Sequence, residues 1–113
     1  MAETIVDTSV VIDYLRGSAQ AAEYPETLRR AGWLATHTVV VAEVLVGARN
    51  QHEQTAIAQV LGEFRIHPMN ASDAGESISL LKRHRLSRGT GWLDCLIAAT
   101  ALRLNLPVAT SPR

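Results

Sequence analysis

Four short apolar runs divide this 113-residue chain, and no hairpin turn joins any of them to the next. Residues 4–7, 33–36, 65–67 and 106–110 read as strands, and the stretches between them read as helices. Strands that cannot return through a tight turn must be joined by crossovers. Crossovers give parallel βαβ units of right hand. The expected fold class is therefore α/β, with a short parallel sheet of four readable strands flanked by helices.

The boundaries follow from local chemistry. Thr8 or Ser9 can cap a helix running to about Arg16, where Gly17 stops it. Residues 18–31 are helical in pattern, with Pro25 weakening the middle. Thr38 opens a helix through Ala48 despite its β-branched valines, and residues 52–64 form another. Ser72, Gly75 and Glu76 lead into a helix to about Arg85. A Gly89-Thr90-Gly91 turn precedes the last helix, residues 93–104.

Apolar residues are 47% of the chain and charged residues 19%, enough for a core and too few charges for long disordered tracts. The longest apolar runs fall far short of a membrane span, and the start lacks the pattern of a secretory signal. Cys95 is the single cysteine; it reads as a small core residue in a protein of the reducing cytoplasm. The formal net charge is zero, so whole-molecule electrostatics select no partner. Lys82 is the only lysine among eleven basic residues; the arginines that make up the rest are the better forks for phosphate, although a codon bias gives the same composition.

Against this apolar background stand three carboxylates. Asp7 ends Thr4-Ile5-Val6, Glu43 lies within Val39 to Val46, and Asp94 lies within Trp92 to Ala99. An ionised carboxylate in apolar surroundings needs a partner, because desolvation costs several kcal/mol. Asp7 falls at the carboxyl end of the first strand, the edge at which open α/β sheets bind ligands. Glu43 sits about two turns into its helix, flanked at i−4 and i+3 by Val39 and Val46, and Asp94 lies in a helical first turn. Parallel crossovers can bring all three to one rim. Clustered acids repel, so either one is protonated or a hard cation such as Mg²⁺ or Mn²⁺ joins them. No His or Cys spacing suits zinc, and His37, His52, His67 and His84 read as scattered surface or capped side chains.

The residues around these acids resemble a family. Ile5-Val6-Asp7-Thr8-Ser9-Val10-Val11-Ile12-Asp13-Tyr14-Leu15 is similar to the opening motif of PIN domains. Val41-Ala42-Glu43-Val44-Leu45-Val46-Gly47-Ala48 resembles their second motif, and Asp94-Cys95-Leu96-Ile97-Ala98-Ala99-Thr100-Ala101 their third. Leu106-Pro107-Val108-Ala109-Thr110 resembles the strand that follows. The nearest resemblance is to VapC-type toxins, the ribonuclease halves of bacterial toxin–antitoxin pairs, and it spans nearly the whole chain in order.

That resemblance implies a three-layer α/β/α fold in one PIN-like domain, residues 1–113, and a Mg²⁺- or Mn²⁺-dependent endoribonuclease. Asp7, Glu43 and Asp94 become the metal-site and catalytic acids, with Thr8, Ser9 and Thr110 supporting them. Hydrolysis by a cation-activated water predicts 5′-phosphate and 3′-hydroxyl ends. The implied partners are RNA, a VapB-like antitoxin helix and a second copy of the chain. The segment Val10–Leu15 and the helix after Ser18 are candidate groove walls for the antitoxin. Arg16, Arg49, Arg85 and Arg88 are candidate RNA contacts, although a basic run such as 82–88 is more often a solvated helix face. The aromatics, Trp33, Trp92, Tyr14, Tyr24 and Phe64, mostly read as core, which leaves no platform for stacking bases. One departure stands out: Pro112 occupies the place of the fourth acid or Asn, and the chain ends before the tail such toxins carry. A degenerate or truncated PIN module that binds antitoxin or RNA without catalysis is the alternative. A receiver domain lacks support, since no second acid adjoins Asp7 and Lys82 precedes Asp94. An Asp-x-Asp phosphatase fails because Ser9 holds the second position.

Overall fold

The computed structural model describes residues 2–88 and 91–111, without the side chains of residues 86–88. The turn expected at 89–90, the Pro112 departure and the Arg88 side chain therefore lie outside the described residues.

The elements alternate as β1 (Thr4–Val6), α1 (Thr8–Leu15), α2 (Ala19–Ala31), β2 (Leu34–His37), α3 (Thr38–Val46), α4 (Gln51–Leu61), β3 (Arg65–His67), α5 (Ala71–Arg88), α6 (Trp92–Leu104) and β4 (Val108–Ala109). The strands form one parallel sheet in the order β3-β2-β1-β4. Ile5 pairs with Ala35 on one side and Val108 on the other, so β1 is interior. Helices cover the sheet in three layers, as expected for the fold class. Ile5, Val6, Val11, Leu28, Ala35 and Val40 are fully buried at its centre.

Each helix start has a local cause. Ser18 caps α2 by accepting from the Ala21 N–H, and Asn50 caps α4 by accepting from the Glu53 N–H. The first helix is capped by Asp7 itself, whose Oδ1 accepts from the Val10 N–H at 3.2 Å. Neither Thr8 nor Ser9 does so, because both lie inside the first turn, past the cap position; Ser9 instead donates to the same Asp7 oxygen. His37 caps α3: its Nδ1 accepts from the Val39 N–H at 3.0 Å. His37 is fully buried as the last residue of β2, not at the surface. The valines of α3 do not prevent a helix, since Val40 and Val44 bury themselves against the core. Its other faces stay open, and Val46 is 85% exposed. Pro25 lies inside α2 without ending it, buried on the inward face.

Below the sheet, α5 lies along α6. Asp73 of α5, 1% exposed, accepts from Arg103 Nε at 2.7 Å, from Arg103 Nη2 at 2.9 Å and from the Thr100 hydroxyl at 3.0 Å. Thr100 in turn lies 2.9 Å from His37 Nε2. One buried chain of hydrogen bonds thus ties α3, which carries Glu43, to α6, which carries Asp94. Cys95 is buried, as a core cysteine should be.

Candidate metal centre

The strand ends decide where the acids go. Asp7 follows the last residue of β1, and its backbone N–H donates to the Ala109 carbonyl at 3.1 Å, so it stands at the carboxyl rim of the sheet. Glu43 reaches that rim from the middle of α3, and Asp94 from the first turn of α6. The three line one open cavity of about 600 Å³ together with Thr8, Ser9 and Ile12.

Hydroxyls orient two of the carboxylates. Thr8 Oγ1 donates to Glu43 Oε1 at 2.6 Å, and Ser9 Oγ donates to Asp7 Oδ1 at 2.6 Å. Ser9 Oγ also accepts from the Ser111 N–H at 3.1 Å, which fastens the end of the last strand to the start of α1. Thr110 Oγ1 lies 3.5 Å from Ser9 Oγ, a loose contact in which Thr110 is the donor because the Ser9 proton is committed. Both hydroxyl residues expected beside the first acid therefore touch a carboxylate, and Thr110 reaches the site through Ser9.

Electrostatics bind the three acids into one system. The Asp94 carboxyl is pushed above the usual carboxylate range by burial first, then by the negative charges of Asp7 and Glu43. No cation of the chain lines the cavity among the described residues. Among the described residues, no three His, Cys, Asp or Glu side chains are grouped so as to hold a metal ion. The donor set is all carboxylate and hydroxyl oxygen, with room for water. That chemistry fits a hard divalent ion, which keeps several waters and needs only one or two carboxylates.

The basic candidates separate. Arg16 and Arg49 border a neighbouring groove of about 760 Å³ that begins at Glu43 and continues over Ile12, Leu15, Val44 and Ile57. Arg49 is already engaged there: its guanidinium meets Glu53 at 2.7 Å. Arg85 is exposed on α5 and borders neither cavity. Lys82 and Arg83 are likewise exposed, and Arg83 pairs with Glu76 at 3.1 Å.

Phe64 is buried and Tyr14 and Trp33 pack against the core, as expected of most of the aromatics, but Tyr24 is 45% and Trp92 43% exposed. Trp92 begins α6 and lines the acid cavity. Sequence reasoning missed it because an aromatic beside an apolar run carries no mark of which helical face the sheet covers.

This sheet order and rim of acids define a nuclease-like α/β fold, and the PIN domain profile matches residues 4–111. The chain belongs to the PIN domain family. It is 35% identical over 107 residues to Ribonuclease VapC10 of Mycobacterium tuberculosis, covering 94% of this chain and 80% of that one. Among solved structures it is similar to a toxin–antitoxin complex from Klebsiella pneumoniae, with TM-score 0.75 and 25% identity over 93% of this chain and 82% of the other. VapBC2 from Rickettsia felis, solved with a DNA fragment from its promoter, shares the fold at TM-score 0.74 and 16% identity, over 96% of this chain and 98% of that one.

Proposed function

We propose that the chain is a divalent-metal-dependent endoribonuclease, the toxin half of a VapBC-type pair, acting in the cytoplasm. The observation that carries this reading is that Asp7, Glu43 and Asp94 line one cavity in which, among the described residues, no protein cation faces them. A bound Mg²⁺ or Mn²⁺ would supply Lewis acidity, neutralising phosphate charge and acidifying a water. Asp7, Glu43 and Asp94 would hold that ion. Ser9 and the Val10 N–H fix the Asp7 carboxylate through Oδ1, and Thr8 fixes Glu43 through Oε1, so two of the acids are oriented before any ligand arrives. Arg16 and Arg49 at the groove mouth, Arg85 on α5 and Arg88 further along that helix are the proposed phosphate contacts.

The experiment is cleavage of RNA with Mn²⁺ by the wild type, Asp7→Asn and Asp94→Asn, with product ends identified. The expected result is 5′-phosphate and 3′-hydroxyl ends, and a fall in rate of at least about 100-fold in either variant, the loss of a charge-stabilising group at a phosphoryl centre. Cyclic phosphate ends, or undiminished cleavage by either variant, would place the chemistry elsewhere. That no three His, Cys, Asp or Glu side chains are grouped to hold a metal ion among the described residues favours one second reading, a PIN module that binds without cutting. Calorimetric titration with Mn²⁺ separates the two, since a module without catalysis gives no binding heat at this site.

The groove beside Glu43 supports an antitoxin partner. It is lined by Ile12, Leu15, Val44 and Ile57, and the carboxylate of Glu43 at its end suits a helix bearing one basic side chain. A homodimer is proposed from the family; exposed Leu102 and Val108, beside a cavity of about 480 Å³ along the β4 edge, give a second copy an apolar surface to cover.

A further inference from the structure

We propose that Trp92 is a base-stacking platform: its indole receives the face of a single-stranded nucleotide next to the phosphate held at the acids. This rests on the ribonuclease reading and adds to it the residue that grips the base.

Three observations converge. Trp92 shares the acid cavity, two residues before Asp94 on the same helical turn, and is the aromatic side chain that lines it among the described residues. It is 43% exposed, although an indole of this size ordinarily buries most of its surface. Its one polar atom is already satisfied: Nε1–H donates at 3.0 Å to Oγ of the fully buried Ser77, which itself donates to the Ala74 carbonyl at 2.6 Å. The ring is therefore held by its indole N–H against α5, and its half-exposed side chain has no unpaired polar atom to desolvate. A held, half-exposed aromatic face is pre-organised for stacking, and every base offers a matching face. A nucleotide also accounts for the neighbourhood, since its phosphate has a reason to enter an anionic cavity with a cation while an apolar peptide side chain has none.

The test measures RNA cleavage kinetics with Mn²⁺, and affinity for a short single-stranded RNA in an Asp94→Asn background that does not cut. It uses Trp92→Leu, which keeps apolar bulk without a π face, and Trp92→Phe, which keeps a face. An otherwise identical strand of abasic ribose is the control. Trp92→Leu should raise KM and weaken binding about 5- to 150-fold, the range for one stacked base. Trp92→Phe should stay near wild type, and kcat and Mn²⁺ affinity should hold in both. On the abasic strand the Leu variant and the parent should bind equally. If the wild type cuts RNA and Trp92→Leu matches it, the platform is wrong while the nuclease stands. An equal loss on the abasic strand also overturns it, as a packing or partner-binding role would predict. A wild type that neither binds nor cuts RNA removes both readings.

Discussion

Asp73 keeps its charge almost wholly out of water because donors surround it. Arg103 holds its carboxyl down to about 2, aided by the Asn70 N–H and the Thr100 hydroxyl. The Thr100 proton is thus committed, so its oxygen must accept from His37 Nε2, and the imidazole keeps Nδ1 open for the Val39 N–H. Burial pushes the His37 pKa down, which preserves this neutral tautomer. Asp73→Ala strands Arg103 and Thr100 and should cost about 3 kcal/mol in urea unfolding, the low end for a broken buried pair because Arg103 is one-third exposed. The same residue sets an acid limb. Its contribution is complete above its ordinary value of 3.8 and drains away as pH falls to about 2, so the variant should show a flatter stability profile across that window.

At the scale of elements, α2 ends at Gly32 with φ +76°, the left-handed region, and open space surrounds the position where a Cβ would stand. Gly32→Ala should therefore cost about 1 kcal/mol by thermal unfolding, a backbone penalty alone. Element order and parallel pairing were legible because alternating apolar runs without hairpin turns leave few other folds; β3 was readable to the residue. The last strand shrank from residues 106–110 to Val108–Ala109, since Pro107 offers no N–H and β1 gives it only one neighbour. The expected surface role of His37 gave way because histidine carries no usual cap signature. The acids were visible as charges in apolar runs, and their hydroxyl partners as neighbours of Asp7. The link from Thr8 to Glu43 was not, because it joins residues far apart in the chain.

For the molecule as a whole, β1 is the axis. It lies between β2 and β4, is buried along its length, and its amides reach across to both: Thr4 N–H to the Trp33 carbonyl and Ile5 N–H to that of Pro107, each at 2.9 Å. Hydrogen exchange should be slowest at Ile5 and Asp7 and far faster at the outer strand β3, whose Arg65 and Ile66 are exposed. Fast exchange in β1 would mean the sheet opens from its centre.

Asp7 ties this scaffold to the proposed metal site through a single group. One of its oxygens begins α1, and its charge faces the cavity. A descendant that gave up the reaction but had to stay folded could not put any residue there. Asn, Ser or Thr would still start the helix, whereas Ala or Val would cost it about 1 kcal/mol. Losing the charge alone and losing the charge together with its cap therefore leave different letters at position 7.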